Sequence, residues 1–199
     1  MIPSAAIIWL TAFTFGLSHS LLAGNPCKAW AAARGVMPST YRLLYSILAT
    51  VLTALWLWLV HSLPDAPLYA FTGMPAVPLY ALQAAGLMVI LLSFRAFDAA
   101  VFLGLKPLPE GGESFVESGI YRHMRHPMYT GFVLLMLASP VHSINSLHVA
   151  LAVSTYFIIG SIFEERRMLA AHPHYAGYRR RVSAFLPIGS FFRSPADSQ

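Results

Sequence analysis

Between Arg42 and Asp65 the chain carries no Asp, Glu, Lys or Arg. That gap limits the fold more than any other feature. About 20 consecutive apolar residues are enough to cross a bilayer as a helix, and Tyr41 to Leu63 supplies them. In hydrocarbon the backbone must bond to itself, which leaves helices or closed barrels. The unbroken apolar run selects the helix. Four more runs read the same way: Ile2 to Leu22, Val77 to about Phe94, Pro127 to about Val141, and about Leu147 to Phe163. The third is open to continuation through Arg95 and Asp98 to Leu103. The last two, joined by a tight turn over Ser139-Pro140 and Ser143 to Ser146, form a helical hairpin. Glu164 to Val182 continues as an amphipathic helix interrupted by Pro173. The fold expected is an all-α polytopic membrane protein with about five spans and a C-terminal amphipathic helix on the cytoplasmic side. It is one membrane domain over residues 1–199, with N-terminal helices in 1–98 and a core in 99–190.

Composition agrees. Hydrophobic residues make up 57% and charged ones 11%, against about 25% charged in soluble domains. A net charge of +5 is compatible with nucleic acid, but the basic residues alternate with apolar runs, which fits a membrane and no nucleic acid. The single cysteine, Cys27, excludes an internal disulfide framework and a cysteine-based zinc site. His172 and His174 flank Pro173, which spoils a helical ligand spacing, so no metal is expected. Met1 to Leu22 lacks a basic n-region and reads as a retained helix. Ser194 to Gln199 reads as a loose polar tail.

The 13 basic residues fall in three places. Lys28, Arg34 and Arg42 lie between the first two runs. Arg95, Lys106, Arg122 and Arg125 lie between the third and fourth. Arg166, Arg167, Arg179, Arg180, Arg181 and Arg193 follow the fifth. The loops after the second and fourth runs have none. The positive-inside rule then puts the N-terminus outside and the C-terminus in the cytoplasm, at the inner membrane in a bacterium.

Two polar stretches share that cytoplasmic face. The first, Gly119 to Gly131, packs Tyr121, Arg122, His123, Arg125, His126 and Tyr129 at the mouth of an apolar helix. Such a cluster either contacts lipid phosphates or binds a ligand, with the flanking glycines and a helix N-terminus open to a carboxylate or phosphate. The second begins at Glu164-Glu165. Adjacent carboxylates there are costly unless they meet cations or hydroxyls. They either pair with arginines or accept hydrogen bonds from the vicinal hydroxyls of a ribose. The basic run Arg179 to Arg181 reads as a lipid anchor or as the source of one arginine for a pocket. His19 is the lone strongly polar group of the first run. It is either a functional group or a packed histidine bonded to a carbonyl.

The pattern Gly119-x-Tyr121-x-x-x-Arg125-His126-Pro127-x-Tyr129, followed by Glu164-Glu165, Leu169, Tyr175-x-x-Tyr178-x-x-Arg181-Val182 and Leu186-Pro187, resembles integral membrane methyltransferases. The family is that of isoprenylcysteine carboxyl methyltransferase and the phospholipid methyltransferases. The likeness covers roughly residues 100 to 190. The N-terminal part, with His19-Ser20-Leu21-Leu22-Ala23, Lys28 and Tyr41-Arg42-Leu43-Leu44-Tyr45, looks more like the NnrU and methanethiol S-methyltransferase branch. Ser183 stands where the family has proline, and His172-Pro173-His174 where it has Phe-Gly.

The resemblance implies a cytoplasm-facing S-adenosylmethionine site. Tyr121, Arg125, His126, Pro127, Tyr129, Gly131, Glu164 and Glu165 would form it. Glu165 would hold a cofactor hydroxyl or shape the catalytic centre. Arg181 would orient the acceptor, and His19 would serve as general base for a thiol. The partners implied are membrane lipids and a lipophilic or small-thiol substrate. An isoprenylated cysteine, a small thiol and a lipid amine all stay open as acceptors, with the N-terminal likeness favouring a thiol. Two other classes compete: an NADPH-dependent membrane reductase and a non-enzymatic NnrU-like membrane protein.

Overall fold

The computed structural model describes residues 3–109 and 115–187. The expected tail from Ser194 on, and Arg193, lie outside them. The described chain is mostly helical, and it divides into two compact units. Residues 3–74, 98–109 and 140–156 form the first, and 75–97, 115–139 and 157–187 the second.

The first unit starts with α1, Ser4–Leu22. Gly24 and Pro26 end that helix and start α2, Asn25–Ala32, with proline in its first turn. Next comes α3, Pro38–Ser62, which has no buried residue. Leu44, Ile47, Val51, Leu55 and Trp58 are exposed along it, a face that only lipid would cover favourably. Polar side chains tie α1 to α3: Trp56 Nε1 donates to Thr11 Oγ1 at 2.9 Å, and Tyr41 Oη to the Leu22 carbonyl at 2.7 Å.

Strands β1, Pro67–Ala70, and β2, Val141–Ser143, pair antiparallel, with Tyr69 opposite His142. Both strands come from the loops that carry no basic residue. Helix α7, Ile144–Ala171, starts directly after β2. Its N-terminus is capped from the β1 side: Asp65 Oδ1 accepts from Asn145 N at 3.0 Å. Residues of α7 up to Tyr156 belong to the first unit, and those from Phe157 to the second.

The sequence leaves the third run open to extension, and it does not extend. Helix α4, Val77–Phe94, stops before Arg95. A separate turn of helix, α5, Ala99–Phe102, follows. Asp98 caps it, accepting from Ala100 N at 2.8 Å and pairing with Lys106 Nζ at 3.0 Å. Gly104, at φ +82°, follows, and a Cβ there would lie 2.6 Å from the Ser39 carbonyl oxygen. Only glycine lets this turn rest on the α3 backbone.

The fourth run is shorter than expected. Helix α6, Pro127–Leu137, has 11 residues, roughly 16 Å at 1.5 Å per residue. Pro127 fixes its start, and Ser139-Pro140 prevents its continuation. Among the described residues four helices have spanning length and composition: Ser4–Leu22, Pro38–Ser62, Met74–Phe94 and Ile144–Ala171. The protein is an all-α polytopic membrane protein, with α6 as an additional short apolar helix. In the second unit α6 packs on α4 through two glycines. A Cβ on Gly131 would meet Ile90 Cγ1 at 2.6 Å and the Gly86 carbonyl oxygen at 2.7 Å.

Candidate functional site

The second unit gathers Arg125, His126, Tyr129, Glu164, Glu165 and Arg179. Three local features position them. A 3-10 turn, Gly119–Arg122, starts at positive φ on Gly119 (+61°) and leads into the Met124 to His126 segment. Helix α7, at 28 residues, is long enough to carry Glu164 and Glu165 beyond its apolar part. Helix α8, Tyr175–Arg181, follows the break at Pro173 and buries Tyr175 and Tyr178.

Glu165 is the hub, and it is 7% exposed. Its Oε1 accepts from Arg125 Nε at 2.8 Å and Nη2 at 2.6 Å. The same oxygen faces His126 Nε2 at 3.1 Å. Oε2 pairs with Arg179 Nε at 2.8 Å. A buried carboxylate is tolerable only with such partners. Arg125 does more than neutralise it. Its Nη1 donates to the Arg179 carbonyl at 2.9 Å and to the Val182 carbonyl. The chain after α8 is then drawn alongside: Arg125 N donates to Ser183 O at 2.9 Å, His126 N to Ala184 O at 2.9 Å, and Thr130 Oγ1 to Phe185 O at 2.9 Å.

Glu164 is its opposite. Its side chain is 41% exposed. Oε2 accepts from Tyr129 Oη at 2.8 Å and lies 3.8 Å from His126 Nδ1. Among the described residues Oε1 takes no hydrogen bond. Tyr129 is stacked between two rings, His126 at 5.4 Å and Phe157 at 4.6 Å between centroids.

An aromatic cluster supports this arrangement. Phe115 contacts His172, Tyr175 and Tyr178, and Tyr178 Oη donates to the Tyr121 carbonyl at 2.7 Å. Burial pushes the Tyr121 phenol up to about 12, helped by the Glu164 charge. Burial likewise raises Tyr175 to about 12, with the Glu165 charge adding and Arg125 opposing. Tyr178 is raised too, chiefly by burial. All three stay neutral hydroxyls at physiological pH.

The phospholipid methyltransferase family matches residues 69–172, half of the chain and all of the Gly119 to Gly131 stretch and both glutamates. The chain belongs to that family. Its relatives extend the likeness into the first unit. A methanethiol S-methyltransferase of Mycobacterium tuberculosis is 33% identical over 181 residues, covering 87% of this chain and 74% of the relative. Methanethiol S-methyltransferase 2 of Bradyrhizobium diazoefficiens is 28% identical, covering 87% and 69%. The enzyme of that name from Pseudomonas deceptionensis is 29% identical, covering 97% and 76%. No solved structure gives a significant match. The protein is thus a membrane methyltransferase.

Within this methyltransferase the expected site residues fall into three groups. Arg125, His126, Tyr129, Glu164 and Glu165 come together. Tyr121 stands beside them through Tyr178. Pro127 is fully buried in the first turn of α6, and Gly131 is taken up by the contact with α4. Arg181 is elsewhere: its Nη2 meets Glu117 Oε2 at 3.2 Å, on an exposed surface. His19 belongs to the first unit, where Nδ1 lies 2.8 Å from Tyr156 Oη and Nε2 lies 2.7 Å from Tyr45 Oη. Among the described residues no group of three His, Cys, Asp or Glu could hold a metal.

Arg179, which the sequence offered only within the Arg179 to Arg181 run while singling out Arg181, is the arginine of that run that meets Glu165. A signal existed in the Tyr175-x-x-Tyr178 spacing. Those tyrosines define the buried stripe of α8, and Arg179 and Arg181 flank it about 160° apart. The spacing narrows the choice to two flanks without saying which one faces Glu165.

Proposed function

We propose that the chain transfers a methyl group from S-adenosylmethionine to a small thiol at the cytoplasmic membrane face. The observation that carries the donor is the contrast between the two glutamates. Glu165 is spent on Arg125, Arg179 and His126. Glu164 keeps an exposed side chain with one oxygen unoccupied among the described residues. A carboxylate in that state fits the vicinal hydroxyls of the donor's ribose. The resemblance offered Glu165 either to hold a cofactor hydroxyl or to shape the catalytic centre; the geometry favours Glu164 for the hydroxyls.

When bound, S-adenosylmethionine supplies a methyl on a positively charged sulfur. Glu164 Oε1 would accept the hydroxyls, and Tyr129, bonded to Oε2, fixes that carboxylate. The first turn of α6, at Met128, offers a backbone N–H at a helix N-terminus that suits the donor's carboxylate. Glu165, through Arg125 and Arg179, holds α7, α8 and the Met124 to His126 segment in register. Methyl transfer depends mainly on such positioning.

The acceptor class rests on the relatives, whose likeness covers most of this chain. The cytoplasmic face rests on the distribution of the 13 basic residues. The pairing of β1 with β2 supports it, because it joins the two loops that lack them.

The test is a methylation assay on detergent-purified protein with donor labelled in its methyl group. Small thiols, an isoprenylated cysteine and a lipid amine are offered in turn. Label is expected on the thiol; label on the amine or the prenyl-cysteine carboxylate instead would overturn the acceptor class.

A further inference from the structure

We propose that His126 is the general base for the acceptor thiol, taking its proton on Nδ1, and that Glu165 is the positioning residue that fixes the tautomer. The inference deepens the thiol methyl-transfer reading and rests on it. Ionised Glu165 can only accept, and His126 Nε2 lies 3.1 Å from its Oε1, so the ring proton sits on Nε2. Arg125 and Arg179 keep Glu165 anionic at 2.8 Å each. Nδ1 therefore carries a lone pair.

That lone pair is reachable. The nearest polar group is Glu164 Oε2 at 3.8 Å, beyond hydrogen-bond length. Among the described residues every fully buried side-chain nitrogen or oxygen has a hydrogen-bond partner. Nδ1 has none, so this atom is not sealed, although the residue is only 6% exposed. An imidazole with one nitrogen fixed by a carboxylate and the other open is the arrangement of a base.

The chemistry calls for one. A thiol is mostly protonated near neutral pH, and the thiolate is the nucleophile. The S–H proton passes to Nδ1. The sulfur pair forms the new bond to the methyl carbon, whose old bond breaks with its electrons going to the donor sulfur. A neutral thioether leaves. The resulting imidazolium lies between two carboxylates, Glu165 at 3.1 Å and Glu164 at 3.8 Å, which stabilise its charge. The other groups facing the ring are the Tyr129 hydroxyl-bearing ring, stacked on it, and Phe185. Arg125 and Arg179 act on it through Glu165. This assigns to His126 the role the sequence offered to His19.

His126→Gln keeps an N–H donor for Glu165 and removes the base. The full-length variant is assayed with labelled S-adenosylmethionine, for binding and for methyl transfer to two acceptors. One is an alkanethiol, protonated at neutral pH; the other is an arenethiol, largely ionised there. Donor binding is expected to persist, alkanethiol methylation to fall by about 100-fold, and arenethiol methylation to be largely retained. Equal losses with both thiols would overturn the base role and leave the donor reading standing. Failure of the unmodified protein to bind donor would overturn the donor reading and this inference with it. A second readout needs no variant. Nitrogen resonances of isotopically labelled histidine should place the proton of the neutral His126 ring on Nε2. A neutral ring carrying its proton on Nδ1 would contradict the proposal.

Discussion

The two units each hold a polar cluster among apolar helices, and the clusters differ in kind. His19, Tyr45 and Tyr156 of the first unit meet through neutral hydroxyl and imidazole groups, within helices that span the membrane. Glu165, Arg125 and Arg179 of the second meet as ions, with the His126 ring bonded to the same carboxylate. The ionic cluster sits near the end of α7, where backbone carbonyls of Arg179 and Val182 add acceptors for Arg125. Charge is costly at hydrocarbon depth and affordable at a helix end with full hydrogen bonding. The neutral cluster can lose one member cheaply. The ionic one cannot lose Arg125 cheaply, because Glu165 would be left as a buried charge short of partners.

The largest effect expected follows from breaking the ionic cluster. Arg125→Ala removes two contacts to Glu165 and two carbonyl bonds, and should cost about 3–5 kcal/mol, read as thermal unfolding in detergent. A smaller shift would mean that Arg179 and His126 suffice. Next, Gly131→Ala places a Cβ 2.7 Å from the Gly86 carbonyl oxygen and should cost about 1–3 kcal/mol by overpacking, without changing the ion pairs. Alkali should have a gentler effect. Tyr121 and Tyr175 have phenols raised from 10.0 to about 12. Their folded-state contribution is full below pH 10 and is lost as pH rises through about 12. Tyrosinate absorbance and unfolding should rise together over that interval; ionisation of both below it would refute their burial.

The neutral cluster should respond less. Tyr156→Phe deletes a hydroxyl bonded to His19 and should cost about 0.6 kcal/mol, the average for such bonds in membrane helices. A loss as large as that of Arg125→Ala would erase the distinction between the clusters. The smallest effect is Arg181→Ala, whose exposed pair with Glu117 should be worth about 0–1 kcal/mol.

The apolar runs made the spans legible, and breakers such as Gly24-Asn25-Pro26 and Pro173 marked real ends. Run length misled at α6, because Ala138 and Val141 prolong the apolar pattern while Ser139-Pro140 ends the helix. It also left the end of α4 open, where Asp98 starts a new turn instead of continuing the old one. At the site, the Arg125 to Tyr129 motif and the paired glutamates were visible, but their division of labour was not. Which of two adjacent carboxylates turns inward depends on where arginines from elsewhere in the chain arrive. Arg179 and Arg181 stand two residues apart, and only the packing of Tyr175 and Tyr178 chooses between them. Gly131 belongs to a motif that suggests a ligand, while the partner that requires a glycine is Gly86, which no local pattern reveals.

The most direct test of the account is equilibrium binding of labelled S-adenosylmethionine to detergent-purified protein, comparing the unmodified chain with Glu164→Gln. Saturable binding that weakens about tenfold or more in the variant, with an unchanged unfolding temperature, is the predicted result. Unaltered binding by Glu164→Gln, or none by the folded unmodified protein, would contradict it.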